Sequence, residues 1–156
     1  MDTTVKMNEV VIGIYGKSDT GKTTLIEDII RKLTNEGFKI ASVKITNKKI
    51  GIDTKGKDTW RHAQAGSKLV VLSSPKETDF ILKKSANISE IIRIINQIDK
   101  YDLIIVEGAN DKYIPKIRLG NIDKRENTIF TYSGDFKEVI EFLKKKIIGG
   151  KYDNKS

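Results

Sequence analysis

The 156-residue chain contains no cysteine, which excludes disulfides and thiolate metal sites. It has a single histidine, His62, with no second imidazole or thiol beside it to make a ligand set, so His62 is assigned no role. No apolar run approaches the length that a bilayer requires, and no secretory leader pattern opens the sequence. Cytoplasm is the expected compartment, and no membrane partner is expected. Aromatic residues are only 7% of the chain and rarely sit beside lysines, so a nucleic-acid partner is not favoured despite a net charge of +8. That charge still calls for something anionic, such as a nucleotide, a phosphorylated cofactor or an acidic protein. Repeats and internal linkers are missing too. The expectation is one domain over residues 1–156 with a real core, residues 1–8 and 149–156 being loose ends.

What is present is a phosphate-binding pattern. Gly16-Lys17-Ser18-Asp19-Thr20-Gly21-Lys22-Thr23 fits G-x-x-x-x-G-K-[ST]. Before it, Val10 to Tyr15 is a short apolar run of the kind a buried strand needs. After it, Leu25, Ile26, Ile29, Ile30 and Leu33 recur at helical spacing. In a strand–loop–helix setting, Gly16 and Gly21 let successive amides converge on phosphate oxygens. The helix beginning near Lys22 aims its unpaired amides at the same anion. Lys22 would reach the β- and γ-phosphates, and the Thr23 hydroxyl would hold Mg2+. A chance glycine turn is the competing explanation. It would match the four fixed positions in roughly one chain in a hundred at average residue frequencies.

Further along, Gly37 ends the first helix and Phe38 to Ile45 reads as a buried strand. Residues 46–56 are polar, and Lys49 to Asp53 is expected to form a small ribbon. Asp58 to Ala65 reads as a short helix with Asp58 as its N-cap. Strands are expected at Lys68–Ser73, Asp79–Leu82, Tyr101–Val106, Pro115–Leu119 and Thr128–Tyr132. Asn87 caps a helix that buries Ile88, Ile91, Ile92, Ile95 and Ile98, and a last helix starts near Asp135. Alternating strands and helices predict an α/β fold: a three-layer P-loop NTPase with a mostly parallel central sheet flanked by helices. Ligands in such folds sit beyond the carboxyl ends of the strands. One rim should then carry the phosphate loop, Glu107-Gly108 and the loop after Tyr132.

Asp102 to Gly108 has the form of a second nucleotide motif, an apolar strand delivering a carboxylate beside the loop. Glu107 at its exit is better placed than Asp102 at its entrance. One carboxylate, Thr23 and phosphate oxygens suffice for Mg2+. Lys17, one residue into the loop, is either a solvated lysine or a group that reaches a partner subunit's nucleotide. Asp53 and Asp58 lie in a dense polar stretch, Asp53 to Thr59, that is either a solvated loop or part of the active site. Asn-Lys-x-Asp, a frequent guanine-reading sequence, does not occur. Asp135 could read a base or cap a helix.

Together these segments resemble the molybdopterin-guanine dinucleotide biosynthesis protein B (MobB) family. The resemblance rests on Gly16 to Thr24, Val43-Lys44, Asp53 to Gly66 with its Gly-Lys-Asp-Thr core, Asp102 to Gly108, and Pro115-Lys116-Ile117. It implies a GTP-binding adaptor with weak Mg2+-dependent GTPase activity. Such a protein forms a homodimer and assists the guanylyltransferase that joins GMP to molybdopterin, molybdopterin itself being a further candidate ligand. By position, Lys22, Asp58 and Glu107 are the expected catalytic residues, and Thr23, Asp53 and Glu107 the expected metal residues. Gly16, Lys17, Ser18, Asp19, Thr20, Gly21, Lys22, Thr23 and Thr24 would hold the nucleotide. Two departures stand out. A histidine-rich stretch usual after Val43-Lys44 is replaced by Ile45 to Lys49. Glu-Gly-Phe-Lys is replaced by Glu107-Gly108-Ala109-Asn110, with Lys112 or Lys116 as candidate substitutes for the lysine. A small-molecule kinase using the same loop is the alternative reading, although no long insertion supplies the lid it would need.

Overall fold

The computed structural model describes residues 10–152; the loose ends expected at 1–8 and beyond 152 lie outside them. The chain falls into two compact units. One combines the described residues up to Thr46 with those from Arg93 onward, and the other is Asn47–Ile92.

In the first unit, β1 (Val10–Tyr15), β2 (Ile40–Lys44), β5 (Leu103–Glu107), β6 (Lys116–Leu119) and β7 (Thr128–Tyr132) make one sheet in the order β2-β5-β1-β6-β7. Every pairing in it is parallel. β1 and β5 run through the middle, and their apolar runs are buried on both faces, as parallel central strands require. Helix α1 (Lys22–Asn35) and α4 (Phe136–Tyr152) share one core with the sheet. Leu25, Ile26, Ile29 and Leu33 of α1 meet Ile12, Ile14, Leu103, Ile105, Val139, Ile140 and Leu143 there. Each such side chain contributes about 1.5–3 kcal/mol when fully buried. The other sheet face buries Val11, Ile104 and Val106, with Ala109 and Ile114 of the β5–β6 connection also buried. After α1, Gly37 takes φ 88°. The Gly37 amide donates to Thr34 O and the Phe38 amide to Leu33 O, closing the helix as its glycine foretold.

Two expectations for this unit change. β2 is an edge strand, half-buried rather than buried, because only β5 flanks it. Helix α4 does not stop at Gly149 but continues through both glycines to Tyr152. A Cβ on Gly150 would stand 3.0 Å from Val10 Cγ2, so the missing side chain lets the helix lie close to β1.

The second unit holds α2 (Asp58–Gln64) and an antiparallel ribbon of β3 (Leu69–Ser73) and β4 (Thr78–Leu82). No ribbon forms at Lys49–Asp53, where Ile50 and Ile52 are the only large apolar residues and both are exposed. The β3–β4 turn is closed instead by Ser74, whose amide donates to Glu77 O while its hydroxyl accepts from the Lys76 and Glu77 amides. Helix α3 (Ile88–Ile98) starts at Asn87, whose Oδ1 accepts the Glu90 amide at 2.9 Å. Ile88 and Ile92 are buried, but Ile98, expected on the same face, is exposed in the last turn.

Candidate functional site

Because the sheet is wholly parallel, the exits of β1, β5, β2 and β7 share one rim. The loop at the exit of β1 is shaped by close packing. A Cβ on Gly16 would lie 3.0 Å from Leu119 Cβ and 3.1 Å from Leu119 O, so only glycine fits without a shift. Asp19 and Gly21 take φ 63° and 81°. Between them Thr20 Oγ1 donates to Lys17 O at 2.7 Å, tying the curl of the loop. Gly21 is the N-cap of α1, and no side chain caps the first-turn amides. Those donors therefore face the loop's concavity, where an anion can take them.

Glu107 ends β5 in register with Ile14 of β1 and Lys44 of β2. This register places the carboxylate on the α1 side of the sheet. Lys22 Nζ sits 3.9 Å from Glu107 Oε1 and 3.4 Å from Gly16 O, and both side chains are largely buried. A cleft of about 390 Å³ brings together Lys17, Ser18, Asp19, Gly21, Lys22, Thr23, Thr24 and Glu107, with Lys44 on its wall. Gly16 and Thr20 support the loop from behind. Lys44 had no role in the sequence reading; its signal was its place at the end of a strand beside the rim. Among the described residues no three His, Asp or Glu side chains gather as a metal centre. The Thr23 hydroxyl and Glu107 carboxylate fit Mg2+ as a partial oxygen set, with phosphate and water completing it.

A brace fixes the chain just past Glu107. Arg125 stacks its guanidinium 4.7 Å from the Tyr15 ring centre and donates to Ala109 O at 2.7 Å. Its amide donates to the Tyr15 hydroxyl at 3.0 Å. Thr128 Oγ1 spends its proton on Arg125 O, so the Tyr15 hydroxyl donates to Thr128 at 2.7 Å. Lys116 is fully buried, its ammonium donating to Asp111 O, Ile114 O and Glu126 O. Burial pushes its pKa down, with the Asp111 carboxylate opposing. Lys116 is thus committed to carbonyls and supplies no cation to the cleft. Lys112 lies over the Tyr113 ring.

Other candidates separate. Asp102, at the entrance of β5, is held far along the strand from Glu107 by the Lys39 amide and Lys151. Arg118 donates to Ile122 O. Asp135 caps α4, accepting the Glu138 amide at 3.2 Å. Asp53 and Asp58 belong to the second unit, where they line a cleft of about 520 Å³ with Lys57, Glu77 and Asp79. Asp58 is the first residue of α2 and not its N-cap; Lys57 takes that position. Asp53 Oδ1 accepts from the Thr54 amide and the Thr59 hydroxyl, and its Oδ2 is buried without a partner. Arg61 and His62 line, with Asp58, a second hollow of the same unit, about 370 Å³ in volume.

Residues 11–142 match the family model described as molybdopterin guanine dinucleotide synthesis protein B, MobB. A relative from Methanocaldococcus jannaschii is 36% identical over 111 residues, covering 69% of this chain and 45% of the relative. A Haemophilus influenzae relative, a molybdopterin-guanine dinucleotide biosynthesis adapter protein, is 33% identical over 111 residues, covering 70% of this chain and 62% of the relative. The chain thus spans about half to three-fifths of the length of these curated relatives. A crystal structure of a molybdopterin-guanine biosynthesis protein B superposes with a TM-score of 0.64 at 25% identity, covering 88% of this chain and 99% of that one.

Proposed function

The chain belongs to the MobB family, and from that premise and the geometry of its loop we propose that it is a GTP-binding adaptor in molybdopterin guanine dinucleotide synthesis. The observation that carries this reading is the uncapped start of α1 facing Glu107 across a cleft, with Lys22 between them. The loop amides and Lys22 take the polyphosphate. As Lys22 turns to the phosphates it releases Glu107, whose carboxylate and the Thr23 hydroxyl are then free to hold Mg2+. When bound, that ion neutralises charge on the outer phosphates and so favours attack by an in-line water.

Turnover is slow in this reading, because among the described residues no arginine lines the loop cleft, while Arg118 and Arg125 are tied to carbonyls. Asp58 would act in catalysis and Asp53 in metal binding once GTP is held. Support comes from the partnerless Oδ2 of Asp53. The guanine preference and the partner, a guanylyltransferase handling molybdopterin, draw on the name carried by the Haemophilus relative. A homodimer fits the ribbon, which presents Leu69, Val71, Phe80 and Leu82 on one exposed face. The proposed compartment is the cytoplasm; among the described residues no helix is long and apolar enough to cross a membrane.

Lys22→Ala tests the loop. Isothermal titration should show GTP affinity reduced at least about a hundredfold, the loss of one buried charge-assisted contact being worth roughly 3 kcal/mol. The thermal midpoint should stay unchanged. Undiminished binding by the folded variant would refute the assignment.

A further inference from the structure

The loop that grips phosphate carries a carboxylate of its own. Asp19 lies midway between Gly16 and Gly21, is exposed, and lines the cleft whose other charged walls are Lys17, Lys22, Lys44 and Glu107. Its φ of 63° is left-handed, a conformation that glycine adopts freely and that strains other residues, asparagine and aspartate least. Among the described residues its side chain has no hydrogen bond and no ion pair, unlike Glu107, which Lys22 faces at 3.9 Å. An unpaired anion at the mouth of an anion site opposes the ligand that the surrounding amides attract.

Resting on the phosphate-loop reading, we propose that Asp19 weakens the grip on polyphosphate, so that nucleotide leaves without the help of a second protein. Its amide serves the loop and its carboxylate works against it. Like charges repel, and at a partly desolvated cleft that repulsion is screened less than in bulk water. A partly screened carboxylate facing phosphates should therefore change affinity about tenfold. The same charge makes tight binding depend on Mg2+, which offsets part of the nucleotide's negative charge.

Asp19→Asn isolates the effect, since asparagine tolerates the same backbone angle and carries no charge. Stopped-flow release of a fluorescent guanine nucleotide from the full chain should slow about tenfold in the variant, with affinity for GDP and GTP rising together. Higher ionic strength should narrow the gap between the two proteins. Asp19→Gly should match the asparagine variant in release rate, which separates charge from backbone strain. Unchanged or faster release from Asp19→Asn overturns the proposal, faster release marking the carboxylate as a nucleotide or metal ligand. If neither protein binds any polyphosphate, the loop reading itself fails and this role falls with it.

Discussion

Gly13, in the middle of β1, is a position where the packing leaves no room for a methyl group. A Cβ there would come 2.8 Å from Ala109 Cβ and 3.2 Å from Lys116 Cγ, both on the braced segment after Glu107. Gly13→Ala should cost about 1–3 kcal/mol as overpacking. Gly51, with nothing within 4 Å of its missing Cβ, serves as the control, and Gly51→Ala should stay within about 0.5 kcal/mol of the parent. Urea denaturation of both variants checks the contrast; equal midpoints would show that the close approach is not rigid. The residues of the loop itself were legible in the sequence, because Gly16, Gly21, Lys22 and Thr23 act within eight positions of one another. Lys44 entered only as part of a family resemblance, with no place at the cleft, and Arg125 did not enter at all. Lys44 reaches the cleft through strand pairing with Glu107, and Arg125 reaches Tyr15 across 110 residues. Neither relation leaves a local pattern.

At the scale of elements, β5 is tied at both ends by charge. Its exit carries Glu107 to the cleft, and its entrance is anchored by Asp102, which accepts the Lys39 amide at 2.7 Å and pairs with Lys151 of α4 at 2.9 Å. Desolvation pushes the Asp102 pKa up, but the Lys39 amide and the Lys151 ammonium outweigh it and the net shift is downward. A folded pKa below the unfolded one gives stability that is fully present above the unfolded value of about 3.9 and lost as pH falls through the folded value. Asp102→Asn should therefore lower the denaturation midpoint at pH 7, and the difference from the parent should shrink as pH falls below the unfolded value and through the lowered folded one. A difference that persisted undiminished in acid would mean that the effect is not electrostatic. Local spacing does not reveal this anchor: along the sequence Asp102 stands only as a rival to Glu107 for the metal.

Over the whole molecule, buried apolar side chains are concentrated in the first unit. Within Asn47–Ile92 only Val70, Ile88 and Ile92 are buried hydrophobics, whereas β1 and β5 alone supply Val11, Ile12, Ile14, Tyr15 and all four apolar residues of Leu103–Val106. Opening free energies should follow that division. Hydrogen exchange read by mass spectrometry should show β1 and β5 protected longest, and the β3–β4 ribbon exchanging orders of magnitude sooner. Equal protection would show that the ribbon has the support of a core that its exposed face does not reveal. In the proposed dimer, Phe80→Glu should shift sedimentation toward monomer while leaving GTP binding intact, as Phe80 stands 64% exposed on the ribbon. An unchanged sedimentation coefficient would place the dimer contact elsewhere.

By itself the sequence determined the strand–loop–helix unit, the mostly parallel character of the sheet and the candidate acid at the exit of β5. Each of these depends on hydrophobic period, glycine placement and short spacing, which act between neighbours in the chain. Tertiary structure alone decided that β2 lies at the edge, that α4 runs on past its glycines against Val10, and that Lys44 rather than Lys116 joins the cleft. Those outcomes turn on which strand lies beside which and on how closely two backbones approach. Such distances are set by packing the whole sheet, and no window along the chain contains them.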